Sequence, residues 1–376
     1  MKIFLITSTR ADFGLLKNLI KKLNKNKKFN LKVIATGSHL SKKHGLSLNE
    51  IKQQKIKVFK KIKISNNTKS NTFLLHDIGI LSKKLSYLIN QEKPHLMILL
   101  GDRYETLGAA LAAYISKIPI AHIHGGEITS GSLDDGFRHS ISKLSTIHFV
   151  SNLFYKKRLI QLGENPKTIF NVGSLGVESI FKTKLLKKQE LQKKLKIKFK
   201  NNILSICLQP EITKSATIKL VNETLSALKN HNDKTLIFTL PGADLNNSAI
   251  IDKFKYFVKR KKNAFLFKTL GSQNYLSLLK ISDACIGNSS SGIIEMPTFK
   301  KPTINIGTRQ EGRVRAKSVI DVSINRKEIQ KKINLIYNKK VSKNFTNPYN
   351  KADTSKNIIS ILKNFKINKH KFKKFF

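Results

Sequence analysis

Short runs that are apolar at nearly every position recur along this chain and stop at glycine, serine, threonine or histidine. In the first half they cover residues 3–7, 31–36, 95–100, 118–123 and 147–150. In the second half they cover 203–208, 235–240, 264–267, 284–287 and 302–306. A strand with no polar face is buried on both sides, the mark of a parallel sheet covered by helices. Stretches with helical spacing lie between the runs, so strand and helix alternate twice over. The pattern predicts two doubly wound α/β domains. Gly163 and Pro166 mark a turn, and the small-residue stretch 171–176 follows it. We therefore expect a first Rossmann-like domain over 1–170, a second over 171–350, and a C-terminal helix and basic tail over 351–376. Within these, 182–200 reads as a basic amphipathic helix opening the second domain, 352–362 as a closing helix, and 366–376 as a frayed end.

Composition refines this picture in three ways. A length of 376 residues suits two cores. The opening apolar run is too short for a signal segment or a membrane span, and Cys207 and Cys285 sit inside apolar runs as buried, reduced thiols. Both readings fit a cytoplasmic protein. The net charge is +48, from 71 Lys+Arg against 23 Asp+Glu. The lysines are scattered through helices and loops, with no recognition helix, zinc spacing or aromatic ladder among them. We expect neither a nucleic-acid nor a membrane partner, and a charge that draws in an anionic substrate. Arginine is scarce by contrast, with nine residues. A guanidinium grips phosphate or carboxylate bidentately where an ammonium cannot, so these positions are informative.

The candidate chemistry lies just after the expected strands, where ligands of open parallel sheets bind. Thr7-Ser8-Thr9-Arg10-Ala11-Asp12 offers hydroxyls, helix amides and Arg10 to a phosphate or a uridine-phosphate end, with Asp12 as a further contact or a helix cap. It lacks the glycines of a dinucleotide fingerprint, so no nicotinamide cofactor is expected. A second such turn carries His39. Gly101-Asp102-Arg103 sets an acid beside a base at a strand end, and a carboxylate beside a cation can serve as a base. The richest segment runs from His122 to His139 and holds His124, Gly125, Gly126, Glu127, Asp134, Asp135 and Arg138. Its spacing is not that of a helical metal motif, so no metal is expected. Asp134 and Asp135 open a helix, one as a cap and one facing the ligand. Gly287-Asn288-Ser289-Ser290-Ser291-Gly292 precedes another helix and suits a diphosphate, with Glu295 placed for ribose hydroxyls. Gly307-Thr308-Arg309 follows the last run and aims Arg309 at the phosphates.

This ordered set resembles the hydrolysing UDP-N-acetylglucosamine 2-epimerases that feed sialic and related nonulosonic acid synthesis. The likeness runs from Lys2 to about Val322 and rests on Arg10, Gly-Asp-Arg at 101–103, His-x-His-Gly-Gly-Glu at 122–127, Asp-Asp-x-x-Arg-His at 134–139, Gly-Asn-Ser-Ser-x-Gly at 287–292 and Gly-Thr-Arg-Gln at 307–310. It implies a GT-B fold, two Rossmann-like domains with a nucleotide sugar in the cleft, no cofactor and a homo-oligomer, dimer or tetramer. It implies UDP contacts from Arg10, Ser289, Ser290, Glu295 and Arg309, and acid-base work by Asp102, Glu127 and Asp134. Asp12, His39, Arg103, Arg138 and Gln209 complete the candidate substrate contacts. Two positions depart from relatives. His124 stands where some carry Glu, so proton transfer falls to His124, Glu127 or both. Gln209-Pro210 stands where many carry His-Pro, and a glutamine cannot transfer a proton at neutral pH.

The reaction so implied removes the C2 proton and expels UDP by anti elimination to a 2-acetamido glycal. Water then adds at C1 and a proton arrives at C2 from the other face, releasing N-acetylmannosamine. Alternatives are the same reaction on UDP-2,4-diacetamido-2,4,6-trideoxyglucose or a GDP-linked sugar, or a GT-B glycosyltransferase.

Overall fold

The computed structural model describes residues 1–41, 47–65, 70–130, 132–242, 246–338 and 344–365. The expected frayed end at 366–376 lies outside the described residues. The chain forms two compact units: residues 1–127, 133–179 and 351–376 in the first, and 128–132 with 180–350 in the second.

The first unit holds β1 (Lys2–Thr7), β2 (Asn30–Ala35), β3 (Val58–Lys61), β4 (Leu96–Leu100), β5 (Ile120–Ile123), β6 (Ile147–Val150) and β7 (Ile169–Asn171). Among the described residues they form one sheet in the order β3-β2-β1-β4-β5-β6-β7, with every pair parallel. Alternate residues of each strand serve opposite cores. Ile3, Leu5, Leu96 and Ile98 pack with Leu16, Leu19 and Ile20 of the helix Arg10–Asn24 and with Ile358 and Leu362 of the helix Thr354–Asn364. Phe4, Ile6, Met97 and Leu99 pack on the other face with Leu81, Leu85, Ala109 and Ala113. Because both faces are covered, the strands tolerate no polar alternation.

The second unit holds β8 (Asn202–Cys207), β9 (Lys234–Thr239), β10 (Ala264–Phe267), β11 (Ala284–Gly287), β12 (Thr303–Ile306) and β13 (Val319–Val322). Their order is β10-β9-β8-β11-β12-β13, again all parallel. Leu204, Ile206 and Ile286 meet Leu220, Val221, Phe254 and Ile333 on one face, while Ile203 and Ile237 meet Leu191 and Leu278 on the other. No helix among the described residues is long and apolar enough to cross a membrane.

Three sequence expectations shift. The crossing between units falls at 179/180, not 170/171, because β7 pairs with β6 and completes the first sheet. The chain then returns, and its last helix is tied to the first unit: the Ser355 amide donates to Glu178 Oε2 at 3.1 Å and the Ser355 hydroxyl donates to the same oxygen. The expected long helix over 182–200 is only Lys188–Leu195, since Lys196 adopts φ +56° and ends it.

Candidate active site

In the first unit the strand ends of β1, β2, β4, β5 and β6 carry the candidate residues. Thr9 caps the helix Arg10–Asn24 in a reciprocal box with Asp12. The Asp12 carboxylate accepts from the Ser8 amide, the Ser8 hydroxyl and the Thr9 amide, each at 2.9 Å, and from the Thr7 hydroxyl. Burial alone would raise its pKa. Hydrogen bonds and charge from His39, with the bonds from Thr7 and Ser8, outweigh that and hold it low. His39 is wholly buried; its Nε2 lies 2.9 Å from Thr7 Oγ1 and its Nδ1 2.7 Å from Ser47 Oγ. Both residues therefore brace the turn from inside. Arg10 remains at its edge, a third exposed, with Nε 3.8 Å from Glu50 Oε1.

The Gly101 turn after β4 has φ +82°, and its amide donates to the Ile123 carbonyl at 3.0 Å. His122 on β5 is buried and sets the other side of the turn. Its Nε2–H donates to the Gly101 carbonyl at 2.7 Å, which leaves Nδ1 to accept from Ser142 Oγ at 3.0 Å. Burial drives the His122 pKa down to about 3 against the pull of that carbonyl, so the ring is neutral. Asp102, one residue beyond, forms an ion pair with Arg138, whose side chain is 2% exposed. Arg138 rides on the helix Asp134–Leu144 and lies 3.8 Å from Asp135. The N-cap position is Leu133; Asp134 opens the helix, half-buried, while Asp135 faces Arg138 and His139. Arg103 Nε donates to Glu105 Oε2 at 3.0 Å.

At the next strand end His124 takes φ +67°, unusual for a side chain with a Cβ. Its amide donates to the Phe149 carbonyl at 2.9 Å, and its Nδ1 lies 3.4 Å from Glu127 Oε1, which also accepts from Ser151 at 2.8 Å. Only glycine fits between them: a Cβ on Gly125 would stand 2.8 Å from Ser142 Oγ, and one on Gly126 2.8 Å from the Tyr155 carbonyl. Sheet order makes β4, β5 and β6 neighbours, so Asp102–Arg138 and His124–Glu127–Ser151 stand on adjacent strand ends. Two acid-base groups of different kinds are thereby available.

In the second unit Asn288 ties three loops together. It is wholly buried. Its Oδ1 accepts from the Gln209 amide at 2.7 Å, and its Nδ2 donates to the Gln209 carbonyl and to Glu211 Oε1, both at 2.9 Å. Its own carbonyl accepts from Gln310 Nε2 at 2.9 Å and from Arg309 Nη1 at 3.5 Å. Gln209 Oε1 accepts from the Gly242 amide at 3.3 Å. Ser289 caps the short helix Ser290–Ile294; Ser290 opens it and Glu295 follows it, both half-buried. Arg313 points inward instead. Its Nε donates to the Ile128 carbonyl at 2.9 Å and its Nη2 to Thr129 Oγ1 at 3.2 Å, which holds residues 128–132 in this unit.

Sequence reasoning gave no role to His122, Ser151, Glu211 or Asn288. The available signal was position: Asn288 follows the glycine that ends an apolar run, and His122 is a polar residue inside one.

Two parallel-sheet Rossmann-like units, each with polar loops at its strand ends, define a GT-B-like α/β protein. A family model described as UDP-N-acetylglucosamine 2-epimerase matches residues 21–363, and the chain belongs to that family. It is 42% identical, over 86% of its length and 85% of the relative's, to the GDP/UDP-N,N'-diacetylbacillosamine 2-epimerase (hydrolyzing) of Campylobacter jejuni. It is 38% identical to the polysialic acid biosynthesis protein P7 of Escherichia coli, over 98% of this chain and 95% of that one. In fold it matches the UDP-GlcNAc 2-epimerase of Neisseria meningitidis, solved bound to UDP-GlcNAc, with a TM-score of 0.81 at 20% identity, covering 97% of this chain and all of that one.

Proposed function

We propose that this nucleotide-sugar 2-epimerase converts UDP-N-acetylglucosamine and water to N-acetylmannosamine and UDP. The observation that carries the reading is the Asp102–Arg138 pair beside His124–Glu127–Ser151 at neighbouring strand ends. One group takes the C2 proton while the C1–O bond breaks and its electrons pass to the departing diphosphate. After water adds at C1, a second group returns a proton to C2 from the opposite face. Asp102, ion-paired with the Arg138 guanidinium, suits the first task; His124 and Glu127 share the second, with Asp134 at the start of its helix as a further candidate. Arg10 and Arg103 edge the same unit's loops as further contacts. In the second unit Ser289, Ser290, Glu295 and Arg309 are assigned to UDP, where cationic and amide donors stabilise the leaving charge. Gln209, tied to Asn288 and Gly242, keeps a binding role and no proton-transfer role.

A second reading replaces the sugar by 2,4-diacetamido-2,4,6-trideoxyglucose, carried on UDP or GDP. The Campylobacter jejuni relative's name favours it. Incubation with each nucleotide sugar in heavy water separates the readings. Nucleoside diphosphate release with deuterium at C2 of the free sugar is expected for one of them. Release with C2 untouched would point to a glycosyltransferase, and no release from any of them rejects both readings.

A further inference from the structure

Glu211 is an acid placed among groups assigned to an anion. It follows β8 and is half-buried. Its Oε1 accepts from Asn288 Nδ2 at 2.9 Å, and a Cβ built on Gly307, two residues before Arg309, would stand 3.6 Å from the same oxygen. The direct partner is therefore a neutral amide. Arg309 reaches the carboxylate through its field, and that field, with the Asn288 bond, opposes a burial effect that raises the Glu211 pKa. Arg309 itself has a buried Nε with no hydrogen-bond partner among the described residues, and its Nη1 makes one long bond to the Asn288 carbonyl. The guanidinium is thus held loosely, with a donor to spare, beside a negative group that does not close on it.

Resting on the UDP reading above, we infer that Glu211 is a counter-charge to Arg309 that weakens the hold on the leaving diphosphate and lets UDP depart. When the C1–O bond breaks, both electrons pass to the β-phosphate oxygen, so the product carries more negative charge than the substrate. An arginine that stabilises this charge as it develops also retains the product. A fixed carboxylate nearby repels the diphosphate and competes for the guanidinium, and in a half-desolvated loop such a charge acts at contact range with little screening.

The test compares UDP affinity by calorimetry, and KM and kcat, for the intact protein, Glu211→Gln and Glu211→Asp. Glutamine keeps an acceptor for Asn288 and removes the charge; aspartate keeps the charge. Glu211→Gln should bind UDP about three- to tenfold tighter, with a lower KM and a kcat that does not rise. Glu211→Asp should stay near the unaltered protein. Equal or weaker UDP binding by folded Glu211→Gln overturns the inference, as does equal tightening by both variants, which would make the effect one of packing. If the unaltered protein fails to bind UDP, this inference and the UDP reading fall together; if it binds UDP and Glu211→Gln does not tighten, only this inference falls.

Discussion

Asp102 follows Gly101, whose carbonyl His122 holds, and their environments give the two residues opposite characters. Asp102 faces the nearly buried guanidinium of Arg138, so Asp102→Asn removes the carboxylate proposed as the base while leaving a polar group of the same shape. We expect turnover to fall by about 10²–10⁴ with UDP affinity retained, measured by UDP release and calorimetry. His122 is neutral because burial drives its pKa down to about 3. In the unfolded chain it titrates near 6.5. Between those values the unfolded chain binds a proton that the native ring refuses. The stability of the native state is thus fully present above about pH 6.5 and is lost as pH falls toward 3. On going from about pH 7 to about pH 5, the urea midpoint should drop further for the unaltered protein than for His122→Gln. Asp102, His124 and Glu127 were legible because charged groups at the end of an apolar run have few packing reasons to be there. His39 and Asp12 read as ligand contacts for the same reason, and the structure adds that His39 is wholly buried and that the Asp12 carboxylate accepts from the Ser8 amide. Their fate depended on Ser47 and Ser8, which sequence spacing does not identify as partners.

Elements show the same division. The central strands announced themselves as continuous apolar runs, while β3, β7 and β13 did not. All three are edge strands, paired on one side only. An edge strand needs less apolar surface, and Lys60 and Lys61 of β3 are exposed. The ends of central strands carry a stricter demand. At Gly287 φ is +144°, and a Cβ there would fall 2.0 Å from the Cys207 carbonyl on β8. Gly287→Ala must push β11 off β8 at the root of the Asn288 loop. We expect a loss of about 3 kcal/mol or more in unfolding free energy, read from denaturant midpoints, together with weakened UDP binding. The helix at Lys188–Leu195 shows how composition can mislead: lysines continue on both sides of it, but a left-handed Lys196 stops the helix where charge patterning continues.

For the whole molecule the dominant quantity is charge. With +48 spread over the chain, self-repulsion opposes the compact state and salt relieves it. The melting temperature should therefore rise by several degrees between about 20 mM and about 500 mM sodium chloride, by differential scanning fluorimetry; an unchanged or falling midpoint would show that the lysines are locally compensated. What the sequence determined by itself was the class of most central segments: doubly covered strands, capped helices and the polar loops at their ends, all written in patterns a few residues long. What only the tertiary structure decided was adjacency. Sheet order brings Asp102 beside His124 and Arg138, and gathers Gln209, Glu211, Asn288 and Arg309 around one buried amide. It also sends residues 351–365 back to the first unit and 128–132 into the second. Pairing order and burial join residues from 21 to 185 positions apart, and no short-range pattern encodes which loop will meet which.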